Sequence, residues 1–330
     1  MEIRPAREED LPAIIDLMRS SLGESMIPKS ESLWKWKHEE NPFGKSYVLV
    51  AEENGELIGL RAFMQWKWIW QGKTYRAIRA VDTATHPDHQ GKGIFKKLTL
   101  QQAEMCKNEG VDFIFNTPND QSRPGYLKMG WVAQGKMPLK IKITRPFALA
   151  YAKFFDKDKY KNVVQDPSPE QVWDENVLDL IKTHKHQHTK QLATPVSAEY
   201  IRWRYAENPL FRYNYFTDHK NYILISRNKY QGFAKELRLV EFILLNPDKN
   251  INSSIKREVN RFCAQHKIDF ISFSGQQFKN YTQYFKWMGI IPVKPLGPIV
   301  TVRDLNMGND FEKLLETGNW NYSVGDLELF

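Results

Sequence analysis

Cysteine is nearly absent: Cys106 and Cys263 are the only two in 330 residues, far apart and without a Cys-x-x-Cys spacing. That excludes a disulfide framework and a zinc knuckle, and both read as core thiols. No stretch approaches the roughly 18 uncharged apolar residues that span a bilayer. The opening residues Met1-Glu2-Ile3-Arg4-Pro5-Ala6-Arg7 also lack the apolar run of a signal peptide. The expectation is a soluble, cytoplasmic chain with no membrane partner. Acidic residues are outnumbered by basic ones, 39 to 47, for a formal net charge of +8. An anionic partner follows, which can be nucleic acid, a membrane surface or a phosphorylated small molecule; charge alone does not choose among them. Hydrophobic residues at 42% suffice for a buried core in each of two domains.

In chain order, residues 3–6 read as a short strand, and Leu11, Ile14, Ile15, Leu17 and Met18 recur at helical spacing behind it. A second helical piece over 32–38 closes at Asn41-Pro42, since a residue before proline avoids the helical region. Apolar runs at 47–51 and 57–60 flank Asn54-Gly55, a strong hairpin signal. The second strand sets Met64, Trp66, Trp68 and Trp70 on one face, turns at Gln71-Gly72-Lys73 and returns over 75–85. Such an aromatic face can line an acceptor pocket, although packing is its more ordinary use.

The meander delivers the chain to Gln90-Gly91-Lys92-Gly93-Ile94-Phe95, a glycine-bearing turn that opens a helix. Glycines let backbone N–H groups converge at a helix start, where the dipole favours an anion. The helix carries Ile94, Leu98, Met105 and Cys106 and stops at Gly110. A strand at 111–116 then lies parallel to the previous one, as a β-α-β crossover requires. Beyond Asn119, a short helix through Tyr126 ends at Gly130, before Trp131.

This ordered series over about residues 1–145 resembles the GCN5-related N-acetyltransferase (GNAT) superfamily. Its signature, Gln/Arg-x-x-Gly-x-Gly/Ala, is matched by Gln90 and Gly93, with Phe95 replacing the last small residue. Phe95 beside Leu98 on an amphipathic helix is expected to turn into the core. The family's second element, an Asn seven residues before a Tyr that lies four before a Gly-aromatic pair, is met by Asn119, Tyr126, Gly130 and Trp131. The resemblance implies that the pantetheine of acetyl-CoA lies along Thr83, Ala84 and Thr85. It implies a diphosphate held by N–H groups of Gln90, Gly91, Lys92, Gly93, Ile94 and Phe95, with Asn119 and Tyr126 completing the co-substrate site and no metal. Tyr126 stands where the family's proton donor to the thiolate lies. Asp82, on the strand bordering the thioester, is the candidate base, with His86 and Glu40 behind it.

The second half repeats the first in outline. Trp36-Lys37-His38-Glu39-Glu40-Asn41-Pro42 is echoed by Trp203-Arg204-Tyr205-Ala206-Glu207-Asn208-Pro209, and the Tyr-x-Lys-Met-Gly of 126–130 by Tyr284-Phe285-Lys286-Trp287-Met288-Gly289. Where the first copy has its glycine turn, the second has Asn250-Ile251-Asn252-Ser253. The expected architecture is therefore α/β (α+β): two tandem GNAT-like folds, each a mixed, mostly antiparallel sheet flanked by helices. Residues 1–150 would bind acetyl-CoA, 151–165 would be a linker, and 166–330 a degenerate, non-catalytic copy. The twin Trp/Asn-Pro elements would face each other across a pseudo-dyad. His184, His186 and His188 lack an accompanying carboxylate or cysteine and read as a solvated loop.

The function expected is acetyl transfer from acetyl-CoA to a primary amine of a small molecule or amino sugar by direct attack. A tandem enzyme that uses aminoacyl-tRNA is one alternative, although its chemistry needs no diphosphate cradle and nucleic acid is not the expected partner. A non-catalytic CoA-binding module is another.

Overall fold

The computed structural model describes residues 1–22, 28–160, 163, 173–182, 190–289 and 297–327. The histidines at 184, 186 and 188 fall outside them.

The first half opens with strand β1 (Glu2–Pro5) and helix α1 (Leu11–Leu22). Helix α2 (Glu31–His38) starts where the Ser30 hydroxyl accepts from the Leu33 N–H at 3.2 Å, an N-cap that satisfies one of the free donors of the first turn. Strands β2 (Tyr47–Glu53), β3 (Glu56–Trp70) and β4 (Lys73–Thr85) form the meander. Their connections work because Asn54, Gly55, Gln71 and Gly72 all take positive φ, as tight turns between right-twisted strands require. Helix α3 (Ile94–Asn108) returns the chain to β5 (Phe113–Asn116), parallel to β4. Helix α4 (Arg123–Lys128) and strand β6 (Val132–Lys136) follow.

Strand β7 (Leu139–Ile143) and helices α5 (Pro146–Phe155), α6 (Glu175–Lys182) and α7 (Ala198–Ile201) lead into the second half. There β8 (Asn214–Thr217), β9 (Tyr222–Gln231) and β10 (Ala234–Leu244) make a second antiparallel meander. Helix α8 (Ile251–His266) crosses to β11 (Phe270–Ser274), parallel to β10. The chain ends with α9 (Gln277–Asn280), β12 (Ile299–Asp304), α10 (Phe311–Leu315) and α11 (Val324–Leu327).

Both sheets are mixed and flanked by helices, as expected, but they exchange strands. The first runs β1-β2-β3-β4-β5-β12-β6, and the second β7-β11-β10-β9-β8. β12, from the end of the chain, pairs antiparallel with β5 and β6; β7, from the first half, pairs antiparallel with β11. Each half thus donates a strand to the position beside the other's parallel pair. The expected linear division at 151–165 therefore does not describe sheet membership: residues 139–143 lie in the second sheet and 299–304 in the first. Residues 299–304 have no local turn partner, so their place in the first sheet could not be read from the neighbouring sequence.

A shared core lies between the halves. Trp66, Trp68 and Trp70 pack there with Phe113, Phe115, Tyr200, Trp203 and Trp320, so the tryptophan face of β3 is packing and does not line a pocket. Trp36 and Trp203 stack at 5.1 Å, and each indole N–H donates to the other residue's carbonyl, at 2.8 and 2.7 Å. The repeated elements do face each other with two-fold character. Asn41 and Asn208 make matching turns, each side-chain oxygen accepting backbone N–H groups two or three residues on.

Candidate active site

β4 and β5 pair at only three positions, Ala77 with Phe113, Ile78 with Ile114 and Arg79 with Phe115. Past Arg79 the strands diverge, and a register shift opposite Arg61 and Phe63 puts a bulge at Val81 and Asp82. A cleft of about 740 Å³ opens in this gap. Its near wall carries Val81, Asp82, Thr83, Asn119 and Tyr126; its far wall comes from the second sheet and includes Glu236, Arg238 and Ser272. Two parallel strands that part in mid-sheet expose edge N–H and C=O groups to a ligand without breaking the layer, which suits an extended amide-bearing arm.

Asp82 is held at one oxygen. Its Oδ2 lies 2.6 Å from the Lys37 ammonium and 2.8 Å from His38 Nε2, while Oδ1 has no partner among the described residues. Burial pushes this carboxyl up, but the Lys37 charge and the His38 and Lys37 hydrogen bonds outweigh it and hold the group far below the usual carboxylate range. Burial likewise lowers the His38 pKa, against the pull of Asp82. Its Nδ1 reaches the Ser46 hydroxyl at 2.8 Å. Asp82 is thus an anchored carboxylate, held below the usual range by its two partners. Glu40 is exposed and His86 sits in the turn after β4, where its ring accepts from the Asp88 N–H at 3.4 Å; neither lines the cleft.

Tyr126 is buried with its ring edge-on to Phe95 at 5.6 Å and to Trp131 at 5.1 Å. Phe95 therefore turns inward, as its place beside Leu98 suggested. Beneath these rings lies Arg61, fully buried, its guanidinium 4.6 Å from the Phe63 ring and 5.4 Å from that of Tyr126. None of its three nitrogens has a hydrogen-bond partner among the described residues.

Of the expected pantetheine strand, Thr83 borders the cleft, with its hydroxyl tied to the Leu60 carbonyl at 3.2 Å. Ala84 and Thr85 do not border it; Ala84 packs beneath α1 and Thr85 pairs with Gly59. Asn119 borders it but spends its side-chain oxygen on the Ser122 N–H and hydroxyl, at 2.8 and 2.9 Å, and so opens α4. Gln90 is exposed and donates weakly to the Thr85 carbonyl at 3.4 Å. Gly91 and Gly93 take φ of +78° and +75°, which only glycine adopts readily, and a Cβ at either would meet open space. Gly93 is the N-cap of α3, so the N–H groups of Ile94, Phe95 and Lys96 have no intrahelical acceptor. Exposed Lys92, Lys96 and Lys97 surround them. The donor set fits a diphosphate.

The second half lacks this opening. β10 and β11 pair through Leu239 and Phe273, but beyond that point the Phe242 N–H donates to the Gln277 side chain at 2.8 Å, and Ser323 bridges Gly275. Gly325 of α11 lies so close to the Tyr205 hydroxyl that a Cβ there would overlap it. Lys37 and Arg204 each follow one of the paired tryptophans, yet only Lys37 borders the cleft; Arg204 is buried and donates to the Gly325 carbonyl at 3.1 Å. Lys37 and Arg61 were not singled out from sequence. The repeated Trp-basic pair was the available signal for the first, and nothing local marks the second.

The acetyltransferase (GNAT) domain family matches residues 2–133. The L-amino acid N-acyltransferase MnaT of Escherichia coli (strain K12) is 28% identical over 147 residues, which is 42% of this chain and 83% of that protein. A probable N-acyltransferase from Enterococcus faecalis V583 shares the fold over 94% of this chain and 74% of its own, with a TM-score of 0.61 at 12% identity. A GCN5-related N-acetyltransferase from Anabaena variabilis does so over 92% and 73%, with a TM-score of 0.57 at 14% identity. Among the described residues no group of His, Cys, Asp and Glu could hold a metal ion, and no helix is long and apolar enough to cross a membrane. Residues 2–133 thus match the acetyltransferase (GNAT) domain family, and the chain as a whole shares its fold with GCN5-related N-acetyltransferases.

Proposed function

We propose that this enzyme transfers the acetyl group of acetyl-CoA to a primary amine of a small molecule, an amino acid or amino sugar being the class to test first. The observation that carries the reading is the parting of β4 and β5 past Arg79, with Asp82 and Tyr126 both on the cleft that opens there. In this proposal the diphosphate sits on the N–H groups of residues 90–95 and the pantetheine runs between the parted strands, bordered by Thr83 and Asn119. The free Oδ1 of Asp82 orients the acceptor nitrogen. The neutral amine attacks the thioester carbon, the C–N bond forms, and collapse of the oxyanion breaks the C–S bond. The leaving thiolate takes a proton from the Tyr126 hydroxyl, and the new amide nitrogen loses its extra proton to water in the cleft. Residues 1–150 supply this chemistry and 166–330 act as a non-catalytic copy, supported by the filled gap beyond Leu239 and the missing glycine turn at 250–253.

Thiol release from acetyl-CoA across a library of amino acids and amino sugars tests the reading. Tyr126→Phe is expected to lower kcat by about 10²-fold, the usual scale for a positioned proton donor, with the calorimetric heat of acetyl-CoA binding unchanged. An unchanged kcat removes Tyr126 as the acid. No thiol release with any amine, together with no binding heat, overturns the proposal.

A further inference from the structure

Arg61 sits where packing alone calls for no charge. An apolar side chain of similar volume would fill the same space without the cost of burying an ion. The position holds instead a guanidinium, which stays protonated whatever surrounds it. It is fully buried, and none of its three nitrogens has a hydrogen-bond partner among the described residues. It faces three rings, Phe63 at 4.6 Å, Tyr126 at 5.4 Å and Phe95 at 5.8 Å. Of the three, Tyr126 alone carries a hydroxyl, and it alone borders the cleft.

We propose that Arg61 supports the negative charge that Tyr126 acquires when it protonates the leaving thiolate, an inference that rests on the role given to Tyr126 above. In that step the phenol O–H bond breaks and an S–H bond forms. The charge passes from sulfur to the phenolate, which then regains a proton from water in the cleft. A phenolate spreads its charge over the ring, so a cation held against the ring meets that charge without touching the oxygen. Away from water, two opposite unit charges attract far more strongly than a cation and a neutral ring do. Arg61 therefore favours the phenolate that the step creates over the phenol that precedes it, which is the difference that speeds a reaction. A charge fixed in place beforehand needs no rearrangement as the reaction proceeds.

The other cations around Tyr126 among the described residues address different groups. Arg303 lies over the Trp131 ring at 4.8 Å, and Arg123 of α4 pairs with Asp120 at 2.7 Å. On the cleft, Lys37 pairs with Asp82 at 2.6 Å, Arg238 pairs with Glu236 at 3.0 Å, and Arg79 donates to the carbonyls of Asp326 and Leu327. Arg61 does not border the cleft, so it is a positioning residue that acts through the Tyr126 ring.

Thiol release tests this in the parent protein, Arg61→Met and Arg61→Lys, each with and without Tyr126→Phe. Arg61→Met is expected to lower kcat about tenfold, inside the loss of about 10²-fold expected from the hydroxyl itself, with KM for acetyl-CoA unchanged. Arg61→Lys keeps the charge and recovers most of that loss. In the Tyr126→Phe background, Arg61→Met changes kcat by no more than about twofold, because the phenolate never forms; a purely structural role would cost the same in both backgrounds. The field is also read without turnover, from the nitrile stretch of a Tyr126→p-cyanophenylalanine variant. Its band is expected to move when Arg61→Met is added and to stay when Arg61→Lys is added. An unchanged kcat in Arg61→Met, an equal loss in both backgrounds, or an unmoved nitrile band overturns the inference while leaving acetyl transfer in place. A moved band in a protein that acetylates no amine places the failure in the proposed reaction, and the inference falls with it.

Discussion

Arg61 is a fully buried cation whose nitrogens find no hydrogen-bond acceptor among the described residues, only the faces of Phe63, Phe95 and Tyr126. A cation over aromatic rings gains about 2 kcal/mol when desolvated, less than removal from water costs. Exchange of a buried charge for a well-packed apolar residue is commonly neutral or stabilising by about 1–4 kcal/mol. Arg61→Met is therefore expected to leave the urea midpoint unchanged or raise it. A loss of about 3 kcal/mol would show instead that the ring cage holds the charge at a net gain. Asp82 shows the opposite economy, since Lys37 and His38 compensate one of its oxygens and leave the other open to the cleft. The sequence made Asp82 visible because it lies on the strand bordering the expected thioester. Lys37 and His38 are 44 or more residues away and meet it only through the packing of α2 against the sheet, so their partnership could not be read locally.

Turns and helix ends were the most legible elements. The hairpin at Asn54-Gly55, the α3 start at Gly93 and its stop at Gly110 each need a positive φ, and glycine or asparagine at such a point is a local chemical statement. The end of the chain was not legible, because its role is to fill space between distant elements. Segment 322–327 meets Gly275, Gln276, Arg204 and Arg79, and it encloses a buried polar cluster in which the Tyr200 and Tyr205 hydroxyls donate to Glu241. Burial, reinforced by the Asp326 charge, pushes the Glu241 carboxyl up to about 8 against the pull of Tyr205 and Arg204. The folded state then holds a proton that the unfolded chain releases near 4.5. This group's contribution to stability is complete below pH 4.5 and declines as the pH rises to about 8. Thermal melts are expected to fall across that window, and Glu241→Gln should flatten the fall; an equal slope in the variant would assign it to other groups.

At the scale of the molecule, the repeat was visible in paired motifs, and the reciprocal Trp36–Trp203 contact shows how the two copies meet. The exchange of β7 and β12 was not visible, since a strand's partner depends on which edge is free and the chain passes both edges. A fragment of residues 1–150 would leave β5 and β6 without the strand that joins them and carry β7 with no sheet to enter. It is expected to aggregate or melt without a cooperative transition, whereas the full chain should give a single calorimetric transition. A soluble, cooperatively melting fragment would refute this interlock. The exchange also sets a timetable for synthesis. About 160 residues separate the end of β6 from the start of β12, which at 5–20 residues per second is about 10 to 30 seconds on the ribosome. For that interval the nascent sheet has two exposed edges where the missing strand belongs, open to a wrong neighbour. The protein's greatest exposure to misassembly thus falls before β12 has been made, and a chaperone acting on it would have to act there.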